Sequence, residues 1–227
     1  MPYARYCEPA SPPDTLIADH APIVVAAHQG ALDLLKLLTE AGADVNTEDH
    51  GVSALRIAAD KGHEKVVKFL LANGARVDAE ERSGFTALLF AASRGHLNIF
   101  RLLIGHGANV HHVAAQKGVT ALHLSAQSGR LDIVRALVAA GLDVNRPTLM
   151  GNTPLVFARS GKHRAVVAAL VRAGAKDGAQ AGPRLANALP APQPPARRKS
   201  SPLPAIGALL LAGLAAAAAW LLEQTHG

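Results

Sequence analysis

The chain has 227 residues, a formal net charge of +6, 4% aromatic residues and one cysteine. That length holds one modest domain with appendages, and alanine, leucine and valine with so few rings suit close-packed helices rather than a β-sandwich. Cys7 alone excludes an internal disulfide and a Cys-based zinc site, and points to a reducing compartment.

The charge is not spread evenly. Arg184, Arg197, Arg198 and Lys199 against Glu223 put +3 beyond residue 177, leaving +3 for everything before it. A surface that tracks phosphates needs a denser basic stripe, so nucleic acid is not an expected partner.

In chain order, residues 1–13 read as a flexible leader. The stretch to His20 lacks the apolar core of a signal peptide, and Pro2 is incompatible with the myristoylation pattern. Cys7 has no paired histidine context here and reads as an exposed thiol rather than a nucleophile.

From residue 14 to 177 the chain repeats itself. Gly30, Gly62, Gly95, Gly129 and Gly161 form one series, and Gly42, Gly74, Gly107, Gly141 and Gly174 a second in step with it. An apolar run of small residues precedes each first glycine: "APIVVAA", "SALRIAA", "TALLFAA", "TALHLSA" and "TPLVFAR". Helical spacings follow it, as in Ile133, Val134, Leu137 and Val138. The spacing predicts five antiparallel helix pairs, each helix stopped by a glycine able to take the left-handed conformation. Ser53, Thr86, Thr120 and Thr153 stand where an N-cap is expected, and replacing one by alanine should cost roughly 1 kcal/mol. No unit buries its apolar face alone, so stacking must complete the core.

These units resemble ankyrin repeats, most fully in "GVTALHLSAQSGRLDIVRALVAAGLDVN" and "GNTPLVFARSGKHRAVVAALVRAGAKD". The opening tetrapeptide has its full histidine form only at Thr120–His123. The first unit opens on Ala21-Pro22, and Gly161-Lys162-His163 reads as one extra residue, so both end units look like atypical caps. The resemblance implies an all-α solenoid of five stacked helix-turn-helix units with projecting hairpin-like loops. It also implies that the histidines at His63, His96 and His123 are structural.

The chemistry-bearing residues do not form a catalytic pattern. His111-His112 find no further ligand at a helical offset, so no metal and no cofactor is expected. Asp44, Asp78, Asn46, Asn109 and Asn145 read as turn residues. With no phosphate-cradling loop and no paired carboxylates, the chain reads as a binding protein, not an enzyme. The resemblance implies protein partners held along loop tips and inner helices, here near Glu48, Asp49 and His50, Glu81 and Arg82, Gln116 and Lys117, and Leu149 and Met150. The last pair, apolar at an exposed tip, is the strongest local hint of a contact.

Beyond Asp177 the pattern stops. Residues 178–202 contain six prolines and read as an extended tether ending in the cluster Arg197, Arg198 and Lys199. Leu203 to Leu222 contains no charged side chain, and twenty helical residues span roughly 30 Å, the thickness of a bilayer's hydrocarbon core. The expectation is a single-pass transmembrane helix, with Trp220 at its far interface and the basic cluster holding the repeats in the cytosol. Residues 223–227 form a short tail, a tail-anchored arrangement with the lipid bilayer as second partner. Ala208, Ala212 and Ala216 recur every fourth residue, a spacing that permits weak homodimerisation. The other reading is a soluble regulator or inhibitor whose apolar C-terminal helix is a recognition element.

Overall fold

The computed structural model describes residues 21–176. The leader through residue 20, the tether, the proposed span and its basic cluster lie outside the described residues. Among the described residues no helix is long and apolar enough to cross a membrane.

Ten helices follow one another in five pairs: α1 Pro22–Gln29 with α2 Leu32–Glu40, α3 Ala54–Lys61 with α4 Glu64–Ala72, and α5 Ala87–Arg94 with α6 Leu97–Gly105. α7 Ala121–Gln127 with α8 Leu131–Ala139, and α9 Pro154–Ser160 with α10 Arg164–Arg172, complete them. The helices run only seven to nine residues, too short to be stable alone in water, so packing must hold them. The odd-numbered helices stack in one layer and the even-numbered helices in a second. Ala26, Ala27, Ala58, Ala59, Ala91 and Ala92 are fully buried in the odd layer, where their small side chains let neighbouring backbones approach. Leu70, Leu103, Leu137 and Leu170 are fully buried on the even-numbered helices.

The glycine stops are as the period predicts in the second series, where φ runs from 80° to 91°. In the first series the structure corrects the fifth unit. Gly161 has φ −77°, and the left-handed position belongs to Lys162 at φ 59°. Lys162, not Gly161, is the counterpart of Gly129. It stands twelve residues before Gly174, so the fifth unit carries no extra residue. A side chain in this region costs roughly 1–2 kcal/mol, so Lys162→Gly should raise stability by about 1 kcal/mol in urea denaturation, while Lys162→Ala should not.

The expected N-caps are realised unequally. Ser53 Oγ accepts the Arg56 amide at 3.2 Å. Thr86 and Thr153 are buried with Oγ1 unpartnered, so their value lies in packing rather than capping. At Thr120 both the amide and the hydroxyl donate to Nδ1 of His123, at 3.3 and 2.8 Å.

Histidines join consecutive units, which gives His63 and His96 a structural place. His63 Nε2 lies 3.0 Å from the carbonyl of His28, His96 Nε2 3.2 Å from that of Asp60, and His163 Nε2 2.8 Å from that of Gln127. Arg130 reaches the Ser93 carbonyl in the same way. A second line of links runs past the even helices. Asn46 donates to the Gly74 carbonyl and accepts the Arg76 amide, and Asn145 does the same with Gly174 and Lys176. Asp78 accepts the Asn109 amide. Asp44 and Asn109 close local turns two residues long, as expected of them, whereas Asn46, Asp78 and Asn145 bind unit to unit.

Candidate interaction surface

Each pair of units is joined by a hairpin, and the predicted residues sit at the hairpin tips. The first pairs β1 Glu48–Asp49 with β2 Val52–Ser53, Glu48 opposite Ser53. Its turn places His50 at φ 50° and Gly51 at φ 81°, the two left-handed residues of the tight turn that matches strand twist. Glu48 and His50 are exposed, while Asp49 is largely covered and lies 3.5 Å from His50 Nε2.

In the second hairpin the Glu81 amide donates to the Phe85 carbonyl. The Glu81 carboxylate turns inward, 3.2 Å from the Arg56 guanidinium and accepting from Ser83 Oγ. Arg56 also lies over the Phe90 ring, 4.4 Å from its centre. Arg56 occupies the third position of α3, where α7 has His123. This charged wedge, joining α3, α5 and the hairpin between them, is a contact that sequence reasoning did not find. Its one signal was a cation at the third helical position in a run otherwise apolar. Arg82, next to Glu81, is exposed.

The third tip carries exposed Gln116 and Lys117 on a turn closed by the Ala114–Val119 bridge. Gln116 Nε2 donates to the Arg82 carbonyl at 2.7 Å, and the Lys117 carbonyl accepts the Leu149 amide at 3.2 Å. Gly118 has no room for more than hydrogen, since a Cβ there would stand 2.8 Å from the Leu149 nitrogen. The second, third and fourth tips are thereby joined into a row. The fourth ends in Leu149, 51% exposed, and Met150, 74% exposed, the largest apolar exposure on the hairpins.

Elsewhere the candidate chemistry disperses. His112 Nε2 is held 2.8 Å from the Gly84 carbonyl and His111 is exposed. Among the described residues no group of three His, Cys, Asp or Glu could hold a metal ion. His123 is fully buried, edge-on to Phe157 with centres 5.3 Å apart. Burial, only partly offset by the carbonyls of Asn152 and Arg146, pushes its pKa down to about 4. Between α4 and α6 lies an open depression lined by Glu64, Asn98, Arg101, Leu102, Gly105 and His106. Asn98 donates to Glu64 there, and Lys68 pairs with Glu64.

Stacked helix pairs with a joined row of tips define a repeat scaffold whose working part is a surface. The chain belongs to the ankyrin-repeat family: the family profile, ankyrin repeats in three copies, matches residues 23–114 and again 88–181. Among curated proteins it is 41% identical over 66 residues to ankyrin repeat and SAM domain-containing protein 6 of Rattus norvegicus, and 41% over 66 residues to ankyrin repeat and KH domain-containing protein mask of Drosophila melanogaster. It is 42% identical over 69 residues to the mask-1 protein of Caenorhabditis elegans. Each match covers 28% of this chain, and the chain spans only 8%, 2% and 2% of those relatives. Ankyrin repeats are protein–protein interaction modules, and that is the class to which this chain is assigned.

Proposed function

We propose that this chain is a membrane-tethered adaptor that binds a protein through its row of hairpin tips, with Leu149 and Met150 as the apolar anchor. The observation that carries the binding surface is the exposure of these two apolar side chains on a tip whose Leu149 amide is bound to the Lys117 carbonyl, because removing large apolar groups from water favours contact. Glu48, His50, Arg82, Gln116 and Lys117 are exposed on the preceding tips and form the polar part of the contact. The tether would give the repeats reach and the segment from Leu203 to Leu222 would confine them to a bilayer, raising the partner's effective concentration without any chemistry.

Proximity labelling in the native cell tests both halves of the proposal. Full-length protein should stay with membranes through alkaline washing, and a version ending at Asp177 should not. The double variant Leu149→Asp/Met150→Asp should keep its helical signal and its melting temperature yet label the shared partner set about tenfold less. Retained labelling would move the contact off the tips. Soluble full-length protein would make the apolar C-terminal segment a recognition element of a soluble regulator.

A further inference from the structure

Charge is divided along the stack. Residues 21–81 carry ten acids and six cations, and residues 82–176 carry two acids and twelve cations. Those two acids are Asp132, in the first turn of α8, and Asp143, in the loop after it, where it accepts the Asn145 amide, so both stand off the hairpin tips. The same division runs along the tips themselves. At one end Glu48 and Glu80 are exposed, the Glu80 carboxylate 3.8 Å from His112 Nδ1. Further along, Arg82 and Lys117 are exposed cations, and the apolar pair Leu149 and Met150 follows them. Backbone groups fix this order in space. The Arg82 carbonyl accepts from Gln116, and the Lys117 carbonyl accepts the Leu149 amide, so neither cationic head group is used in joining the tips. The stem of Arg82 lies over the first tip, its Cγ 3.4 Å from where a Cβ on Gly51 would stand.

We propose that the protein partner meets these tips with an acidic segment, seating a large apolar residue on Leu149 and Met150 and carboxylates over Lys117 and Arg82. This charge match rests on the anchor role of Leu149 and Met150 given above and adds the chemistry of the partner to it. A carboxylate next to the anchor finds a cation on the neighbouring tip, and the chain has no acid between Glu81 and Asp132 or between Asp143 and Asp177 to oppose it. Apolar contact at Leu149 and Met150 excludes water, which strengthens the ion pairs beside it. The wider excess of cations on this half of the stack attracts an acidic partner before contact is made. A lipid headgroup layer or a nucleic-acid strand fits less well, because it is anionic throughout and, lying along the row, also meets Glu48 and Glu80. A peptide can confine its acids to the Lys117 end and turn neutral or basic residues toward Glu48 and Glu80. The division of charge therefore gives the bound segment a direction as well as a composition.

Selection of random short peptides displayed on phage, against the full-length protein in a mild non-ionic detergent, reads this preference. Enriched peptides should carry acids beside a large apolar residue. Arg82→Glu/Lys117→Glu should weaken a synthetic copy of such a peptide about tenfold at low ionic strength, and by less as salt is raised. Its circular dichroism should be unchanged, because the tips are joined through the Arg82 and Lys117 carbonyls. Leu149→Ser/Met150→Ser, which adds no charge, should weaken the same peptide several-fold. Basic or uncharged peptides that are lost with Leu149→Ser/Met150→Ser would keep the anchor and overturn the acidic partner. Acidic peptides bound equally well by Arg82→Glu/Lys117→Glu would also overturn it. Acidic peptides without an apolar residue, unaffected by Leu149→Ser/Met150→Ser, would mark a general polyanion surface and overturn both readings, as would the absence of any enrichment.

Discussion

Gly62→Ala is expected to destabilise the stack by about 3 kcal/mol in urea denaturation, against about 1 kcal/mol for Gly74→Ala. Both residues are left-handed, at φ 83° and 81°, so both variants carry the cost of a Cβ in that region. Only Gly62 carries a second cost. A Cβ there would stand 2.7 Å from Cε1 of His96 and 2.9 Å from its Nε2, whereas at Gly74 nothing lies within 4 Å. The His96 ring is itself tied to the Asp60 carbonyl, so it cannot swing away without breaking the link between units. The double variant Gly62→Ala/His96→Ala should therefore be less destabilised than the two single effects added together. If Gly62→Ala and Gly74→Ala cost the same, the ring contact contributes nothing and backbone strain is the whole effect. The same stacking recurs where His63 lies over Gly30 and His163 over Gly129.

Acid should unfold the protein through His123. Its pKa in the folded chain is about 4, below the ordinary 6.5, because burial disfavours the imidazolium. The unfolded chain binds the proton first, so the stability associated with neutral His123 is complete above pH 6.5. It is lost progressively as pH falls from 6.5 to about 4. A shift of this size corresponds to about 3 kcal/mol. Glu64, held below its ordinary 4.5 by hydrogen bonds from Lys68 and Asn98, acts in the same direction, beginning only as pH falls through 4.5. His123→Asn, which keeps an acceptor for the Thr120 amide, should flatten the stability profile between pH 6.5 and 4. A variant as acid-sensitive as the parent in that window would assign the effect to another group.

Much of this architecture was legible because local rules write directly into sequence. The two glycine series gave ten helix ends, and the apolar runs before Gly62, Gly95 and Gly129 gave the buried layer. The tips fell where the pattern put Glu48 to His50, Glu81 to Arg82, Gln116 to Lys117 and Leu149 to Met150. Even so, the tips are not equivalent. Glu81 is turned in toward Arg56, and Asp49 is largely covered, which no spacing of charges along the chain could show.

What the sequence by itself determined is the repeat, its phase and the family, because helix periodicity, glycine stops and burial are properties of neighbours within one unit. Only the tertiary structure decided how units meet. The bond from His96 to Asp60, the clamp of Asn46 on Gly74 and Arg76, and the wedge of Arg56 between Glu81 and Phe90 each join groups about one repeat apart. Lys162 in a glycine's place likewise appears only once counterparts are superposed in space. The physical reason is that a repeat specifies its own backbone locally, whereas the fit between repeats depends on side chains about 32 residues distant whose partners stacking alone selects.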